Sequence, residues 1–159
     1  MRYQTSVQRI QTDIENLAGF TSTPNQGVSR LSFSPEDRLA RNYIKTKMRE
    51  ANLSVYEDAA GTVVGRRPGL LDNGPVVMVG SHFDAVLHGG AFDGPAGVVA
   101  GLEIARVMNE NSLVTRYPIE IVALIEEEGG RFGAGLFGSR AMAGKLVPND
   151  RNGYKLSGR

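Results

Sequence analysis

Two strongly apolar runs, Pro75 to Gly80 (PVVMVG) and Pro118 to Ile125 (PIEIVALI), constrain this chain more than any other feature. A strand that meets water on one face alternates apolar and polar residues, whereas one apolar on both faces belongs inside a parallel sheet. Between the two runs the pattern changes to a helical period. From Gly94 to about Asn111, Val98, Leu102, Ala105 and Met108 form one stripe, Ile104 and Val107 widen it, and Glu103, Arg106 and Glu110 fall on the side expected to be exposed. A short helix is expected over residues 136–143, before Gly144. Strand, helix, strand, helix is the rhythm of an α/β fold, here a mixed sheet flanked by helices.

The first third of the chain supplies the remaining elements. Ile10, Ile14 and Leu17 recur at helical spacing, which predicts an amphipathic helix over residues 3–18 that stops near Gly19. A second helix opens at Ser34, a good N-cap, with Pro35 at its first position and Glu36 and Asp37 in the first turn, where they complement the helix dipole. Its buried stripe reads Leu39, Ala40, Tyr43, Ile44, Met48 and Ala51, and Arg38, Arg41, Lys45 and Arg49 read as a solvated face. Two short strands, 54–57 and 62–66, flank a turn at Gly61. No linker divides the chain, so one domain is expected.

Composition narrows the chemistry. The 159 residues include no Cys and only two His, which removes thiolate catalysis, disulfides and every Cys-ligated metal site and leaves oxygen and imidazole ligands. Eighteen Lys and Arg against 17 Asp and Glu give a formal charge of +1, so neither nucleic acid nor membrane is an expected partner. No stretch approaches the roughly 18 apolar residues of a membrane span, and a cytoplasmic location is the simplest expectation.

In open α/β sheets ligands bind beyond the carboxyl ends of the strands. After PVVMVG come Ser81, His82, Phe83 and Asp84, then a glycine-rich loop and Asp93 at the start of the next helix; after PIEIVALI come Glu126, Glu127 and Glu128. Three adjacent glutamates repel one another by roughly 1 kcal/mol per close pair in water and more in a drier site. Solvent, protonation or a cation must relieve that repulsion, and with His82 and Asp93 converging on the same edge a metal does so most directly. Asp84, two residues beyond His82 on an extended segment, points the same way and can fix the tautomer and orientation of the imidazole.

The longer runs GSHFDAV, GGAFDGPAGVVAGLE and EEEGGRFGAGLFGSRAMAG resemble the M20 class of dinuclear amidohydrolases and peptidases, and in particular its allantoate amidohydrolase and N-carbamoyl-L-amino acid amidohydrolase branch. The resemblance implies the N-terminal part of a catalytic domain. It implies that His82 binds one metal, Asp93 bridges two and Glu128 binds the second, while Glu127 is the general base and Asp84 orients His82. Two divalent ions are implied, Zn or Mn first and Co or Ni compatible with the same donors. A small ureido or carbamoyl compound is the implied substrate and a homodimer the implied parent. An M20-type peptidase, or a truncated relative that only binds, is the alternative.

The ligand set is short, since relatives of this kind draw two further histidines from later in the chain. Here only His88 remains, and it reads as a loop residue. The resemblance therefore implies that residues 1–159 are a partial catalytic domain, without the dimerisation domain or the C-terminal part, inactive alone and weak in metal binding. Arg131 is a weaker candidate for meeting an anionic substrate group. Gly133 to Gly138 (GAGLFG) matches a dinucleotide fingerprint, but the glutamate run before it puts negative charge where pyrophosphate would sit.

Overall fold

The computed structural model describes residues 3–146. In chain order the elements are α1 (Val7–Gly19), β1 (Val28–Arg30), α2 (Pro35–Glu50), β2 (Ser54–Glu57), β3 (Val63–Arg67), β4 (Val77–His82), β5 (Ala85–Gly89), α3 (Pro95–Glu110), β6 (Ile119–Leu124) and α4 (Phe137–Met142). The main sheet runs in the order β2-β3-β6-β4. Only the β4–β6 pair is parallel; β2–β3 and β3–β6 are antiparallel, which makes the sheet mixed as expected. Strands β1 and β5 form a separate two-stranded ladder that the sequence pattern did not announce.

Local signals explain the helices. Ser6 and Ser34 cap α1 and α2, each side chain accepting from the backbone N–H three residues on, of Arg9 and of Asp37. Helix α3 begins at Pro95 behind Gly94, whose φ of 81° favours a residue without a Cβ. Helices α2 and α3 share one face of the sheet. A side chain on Gly65 would strike Met48 of α2, and one on Gly101 of α3 would strike Ile121, which is the partner of Gly65 across the β3–β6 ladder. The core between them holds Ile44, Met48, Val63, Val98, Leu102 and Ile121, all fully buried.

Several expectations from periodicity are corrected here. Arg41 is buried rather than solvated, and Leu39, placed in the buried stripe, is 53% exposed. The Arg41 guanidinium turns inward to Asp37 at 3.0 Å, Glu57 at 2.9 Å and the Gly61 carbonyl. Glu103 is likewise buried, held by Arg9 at 2.7 Å and by the Ser6 backbone N–H at 2.6 Å, because α1 packs over that side of α3. Ile104 lies exposed on the side left free.

The largest correction concerns β4. Its apolar run reads as the interior of a sheet, yet Val77 is 51% and Met78 47% exposed. Among the described residues β6 is its only ladder partner, so the strand has the composition of a central strand in the position of an edge. Among the described residues no helix is long and apolar enough to cross a membrane.

Candidate metal centre

The parallel register of β4 and β6 sets the site. His82 pairs with Leu124 at the last rung, so both strands end level and their following residues emerge at one rim. His82 closes β4, Asp93 precedes the first turn of α3, and Glu127 and Glu128 lie in the turn after β6. One donor atom from each of His82, Asp93 and Glu128 lies within 4.8 Å of the other two. The Nε2 atom of His82 is 3.6 Å from Asp93 Oδ1 and 3.7 Å from Glu127 Oε2. The structure thus brings together all four residues expected to meet metal or reacting water.

Asp84 is the fixed point of the arrangement. It is buried, and its carboxylate accepts the backbone N–H of Glu127 at 3.1 Å through Oδ1 and that of Glu128 at 3.2 Å through Oδ2. Its Oδ1 also stands 3.6 Å from His82 Nδ1, while its carbonyl oxygen lies nearer that nitrogen at 3.1 Å. The carbonyl therefore accepts from Nδ1–H, which leaves Nε2 facing Asp93 and Glu127. The spacing of His82 and Asp84 led to the expectation that the Asp84 side chain orients the ring, whereas the hydrogen bond comes from the Asp84 backbone carbonyl; the clamp on the glutamate turn depends on register and could not be read from spacing. Gly94 completes the packing, since a Cβ there would stand 2.5 Å from His82 Cε1.

Charge in the cluster is unbalanced. Burial pulls the His82 pKa down, but the Asp84 carboxylate and then Glu127 outweigh it, and the imidazole is raised to about 9. Burial, followed by repulsion from Asp93 and Glu127, pushes the Glu128 carboxyl above its ordinary range despite the attraction of His82. A proton on His82 answers part of this excess. A divalent cation would answer more of it, and one imidazole with two carboxylates is a donor set that zinc or manganese accepts.

Glu126 departs from the reading of three glutamates at one mouth. A φ of 50° at this residue turns its side chain away from its two neighbours, and it is 1% exposed. Its Oε1 accepts the Phe132 N–H at 3.1 Å. The loop then returns on itself, Leu136 and Phe137 donating to the carbonyls of Glu127 and Glu126. Arg131 donates to the Ser32 carbonyl at 2.7 Å and stacks over Phe132, which gives it a structural task instead of an open anion site. His88 is on β5 rather than in a loop, its Nδ1 at 2.7 Å from the Gln26 carbonyl.

Sequence reasoning missed Arg30, fully buried, whose guanidinium donates to the carbonyls of Phe83, Leu17 and Phe20 at 2.7, 2.6 and 3.1 Å. It ties the backbone between His82 and Asp84 to the end of α1.

Residues 60–155 match the family model described as Peptidase family M28. The chain is 50% identical over 141 residues to an N-carbamoyl-L-amino acid amidohydrolase of Geobacillus stearothermophilus, covering 89% of this chain and 34% of that protein. It is 35% identical over 158 residues to an allantoate amidohydrolase of Bacillus subtilis, covering 95% of this chain and 38% of that one. A hydantoinase/carbamoylase family amidase from Burkholderia ambifaria superposes with a TM-score of 0.87 at 37% identity, over 93% of this chain and 36% of that chain. The chain thus spans about a third of the length of these relatives. The family description reads M28 where the motifs suggested M20, while the amidohydrolase branch is the one expected. The relatives it resembles include amidohydrolases of the hydantoinase/carbamoylase kind, and the chain belongs to Peptidase family M28.

Proposed function

We propose that this rim is half of a metal centre that hydrolyses a linear C–N amide bond in a ureido or carbamoyl compound. The observation that carries the reading is the convergence of His82, Asp93 and Glu128 within 4.8 Å, with Glu127 beside them. His82 and Glu128 would hold one divalent ion each, Zn or Mn first, and Asp93 would bridge them. When bound, such ions polarise a scissile carbonyl and lower the pKa of water. Glu127 takes the proton from the attacking water and passes it to the leaving nitrogen. Asp84 holds the His82 ring and, through the two backbone N–H groups, the positions of Glu127 and Glu128.

The reading includes residues 1–159 as the N-terminal part of a catalytic domain in a cytoplasmic homodimer. Three donors fall short of the four or so protein and water positions each ion needs, so these residues alone bind metal weakly and turn nothing over. The relatives named above act on N-carbamoyl-L-amino acids and allantoate by their names, which makes those the first substrates to try. The family description also admits a peptide bond, so the panel includes a dipeptide. The decisive experiment is Glu127→Gln in the full-length protein. Metal content should be unchanged and turnover abolished; appreciable residual hydrolysis removes Glu127 from its role.

A further inference from the structure

The turn that carries His82 and Asp84 is held by one residue of β1. Arg30 is 1% exposed, and its guanidinium donates from Nε to the Phe83 carbonyl at 2.7 Å and from Nη1 to the carbonyls of Leu17 and Phe20 at 2.6 and 3.1 Å. The latter two lie at the end of α1, which has no basic residue in its own last turn. Carbonyls at a helix C-terminus lack partners within the helix and carry partial negative charge, so a cation from another segment is well placed there.

The backbone of Arg30 serves the same turn from its other side. In the β1–β5 ladder Arg30 stands opposite Ala85. Asp84 is thus flanked by two residues that answer to Arg30, Phe83 through a side-chain hydrogen bond and Ala85 through strand pairing. The Phe83 N–H is fixed as well, donating to the Leu124 carbonyl of β6 at 3.2 Å. Between these anchors the Asp84 carbonyl meets His82 Nδ1 at 3.1 Å, and its carboxylate accepts the N–H groups of Glu127 and Glu128. A rotation of the Phe83–Asp84 peptide would move all three contacts at once.

The choice of an arginine is informative. Neutral donors could meet three neutral carbonyls, whereas burying a guanidinium is costly. Burial pulls the Arg30 pKa down to about 10, against the attraction of Asp37 and Asp84. Two properties of the group fit the place. It is a rigid plane, so acceptors on Nε and Nη1 are kept at a fixed separation, which a flexible ammonium does not enforce. Its charge also attracts the buried Asp84 carboxylate. We propose that Arg30 is a positioning residue of the metal centre, fixing the Phe83–Asp84 peptide to the end of α1 so that Asp84 aims His82, Glu127 and Glu128 at the metal. This role rests on the metal centre proposed above.

The test is zinc uptake by the full-length protein, measured against a competing chelator, with the visible absorption of the cobalt-loaded form as a report on ligand geometry. Arg30→Lys keeps the charge but cannot reach the Phe83 carbonyl and the α1 carbonyls together, so it should weaken zinc uptake by roughly tenfold and alter the cobalt bands. Arg30→Gln should lose more, and should it fail to fold Arg30→Lys decides. Ile44→Ala, in the core beneath α2, is a destabilised control that should melt lower yet match the wild type in zinc affinity and cobalt bands. Zinc affinity of Arg30→Lys within about threefold of the wild type, with unchanged cobalt bands, overturns the proposal, as does an equal loss in Ile44→Ala. A wild type that takes up no zinc overturns the metal reading itself, so the two failures are told apart.

Discussion

Asp84→Asn tests the clamp that organises the rim. The carboxylate gives one oxygen to each of two backbone N–H groups, Glu127 at 3.1 Å and Glu128 at 3.2 Å. Asparagine is the same size but offers one oxygen, so one N–H must oppose an NH₂ group inside a buried site. Losing one hydrogen bond to a charged acceptor and leaving a buried donor unmet costs roughly 2–3 kcal/mol. For a chain of this length that lowers the melting temperature by roughly 5–10 °C. Asp84→Ala, which removes both acceptors, should cost about twice as much. The change also has a pH signature in metal-free protein. His82, raised to about 9 chiefly by Asp84 against the opposing pull of burial, holds its proton more tightly folded than unfolded. Its stabilising contribution is complete below the ordinary histidine pKa near 6.5 and disappears as pH rises through about 9. Thermal melts from pH 6 to 9.5 should therefore fall with pH in the wild type and flatten in Asp84→Asn, with the His82 titration read by NMR moving down. A variant that melts within about 2 °C of wild type, with His82 still titrating near 9, would refute both the clamp and its electrostatic consequence.

Four further outcomes are expected. Gly94→Ala places a Cβ 2.5 Å from His82 Cε1 at a residue with φ of 81°, so it should displace the ring and weaken zinc uptake by roughly tenfold, measured with a competing chelator. Because metal must displace the His82 proton, affinity should climb with pH until about 9 and level off above it; a flat profile from pH 6 to 9 would count against His82 as a ligand. Arg30→Met strips donors from three carbonyls and should lower unfolding free energy by roughly 3–5 kcal/mol in urea, whereas a loss under about 1 kcal/mol would mean the backbone repairs itself. Val77→Lys with Met78→Glu breaks the apolar edge of β4, and light scattering of the 159-residue protein should drop; unchanged scattering would show that the edge is not the sticky surface.

How much of this could be read from the residues alone follows from what each pattern encodes. The helices at Pro35–Glu50 and Pro95–Glu110 were legible because the Ser34 cap of the first and the apolar spacing of both are local. The rim was legible for a similar reason: a strand's end and the polar residues after it are adjacent in sequence, and two level strands bring their ends together. Burial of charge was not legible. Periodicity assigns Arg41 and Glu103 to solvent because it sees one helix at a time, whereas their fate is decided by Gly61, Glu57, Arg9 and Ser6, all contributed by other segments. The same limit explains Arg30, whose three-residue strand is too short to carry a pattern and whose acceptors sit at the end of α1 and between β4 and β5.

The glutamate run marks the boundary between the two kinds of information. As letters, Glu126, Glu127 and Glu128 are equivalent, and their mutual repulsion suggests one cluster seeking one cation. A single left-handed residue divides them, with φ of 50° at Glu126, whose buried carboxylate accepts the Phe132 N–H while Glu127 and Glu128 stay within reach of His82 and Asp93. That conformation is held by hydrogen bonds from Phe132, Phe137 and Gly138, residues six to thirteen positions downstream that donate to the Glu126 side chain, the Glu126 carbonyl and the Ile125 carbonyl. The division of labour is thus set by the returning loop. A change there, such as Gly138→Ala, whose Cβ would stand 2.7 Å from the Ile125 carbonyl oxygen, should disturb the proposed metal centre although it touches neither Asp93 nor Glu128.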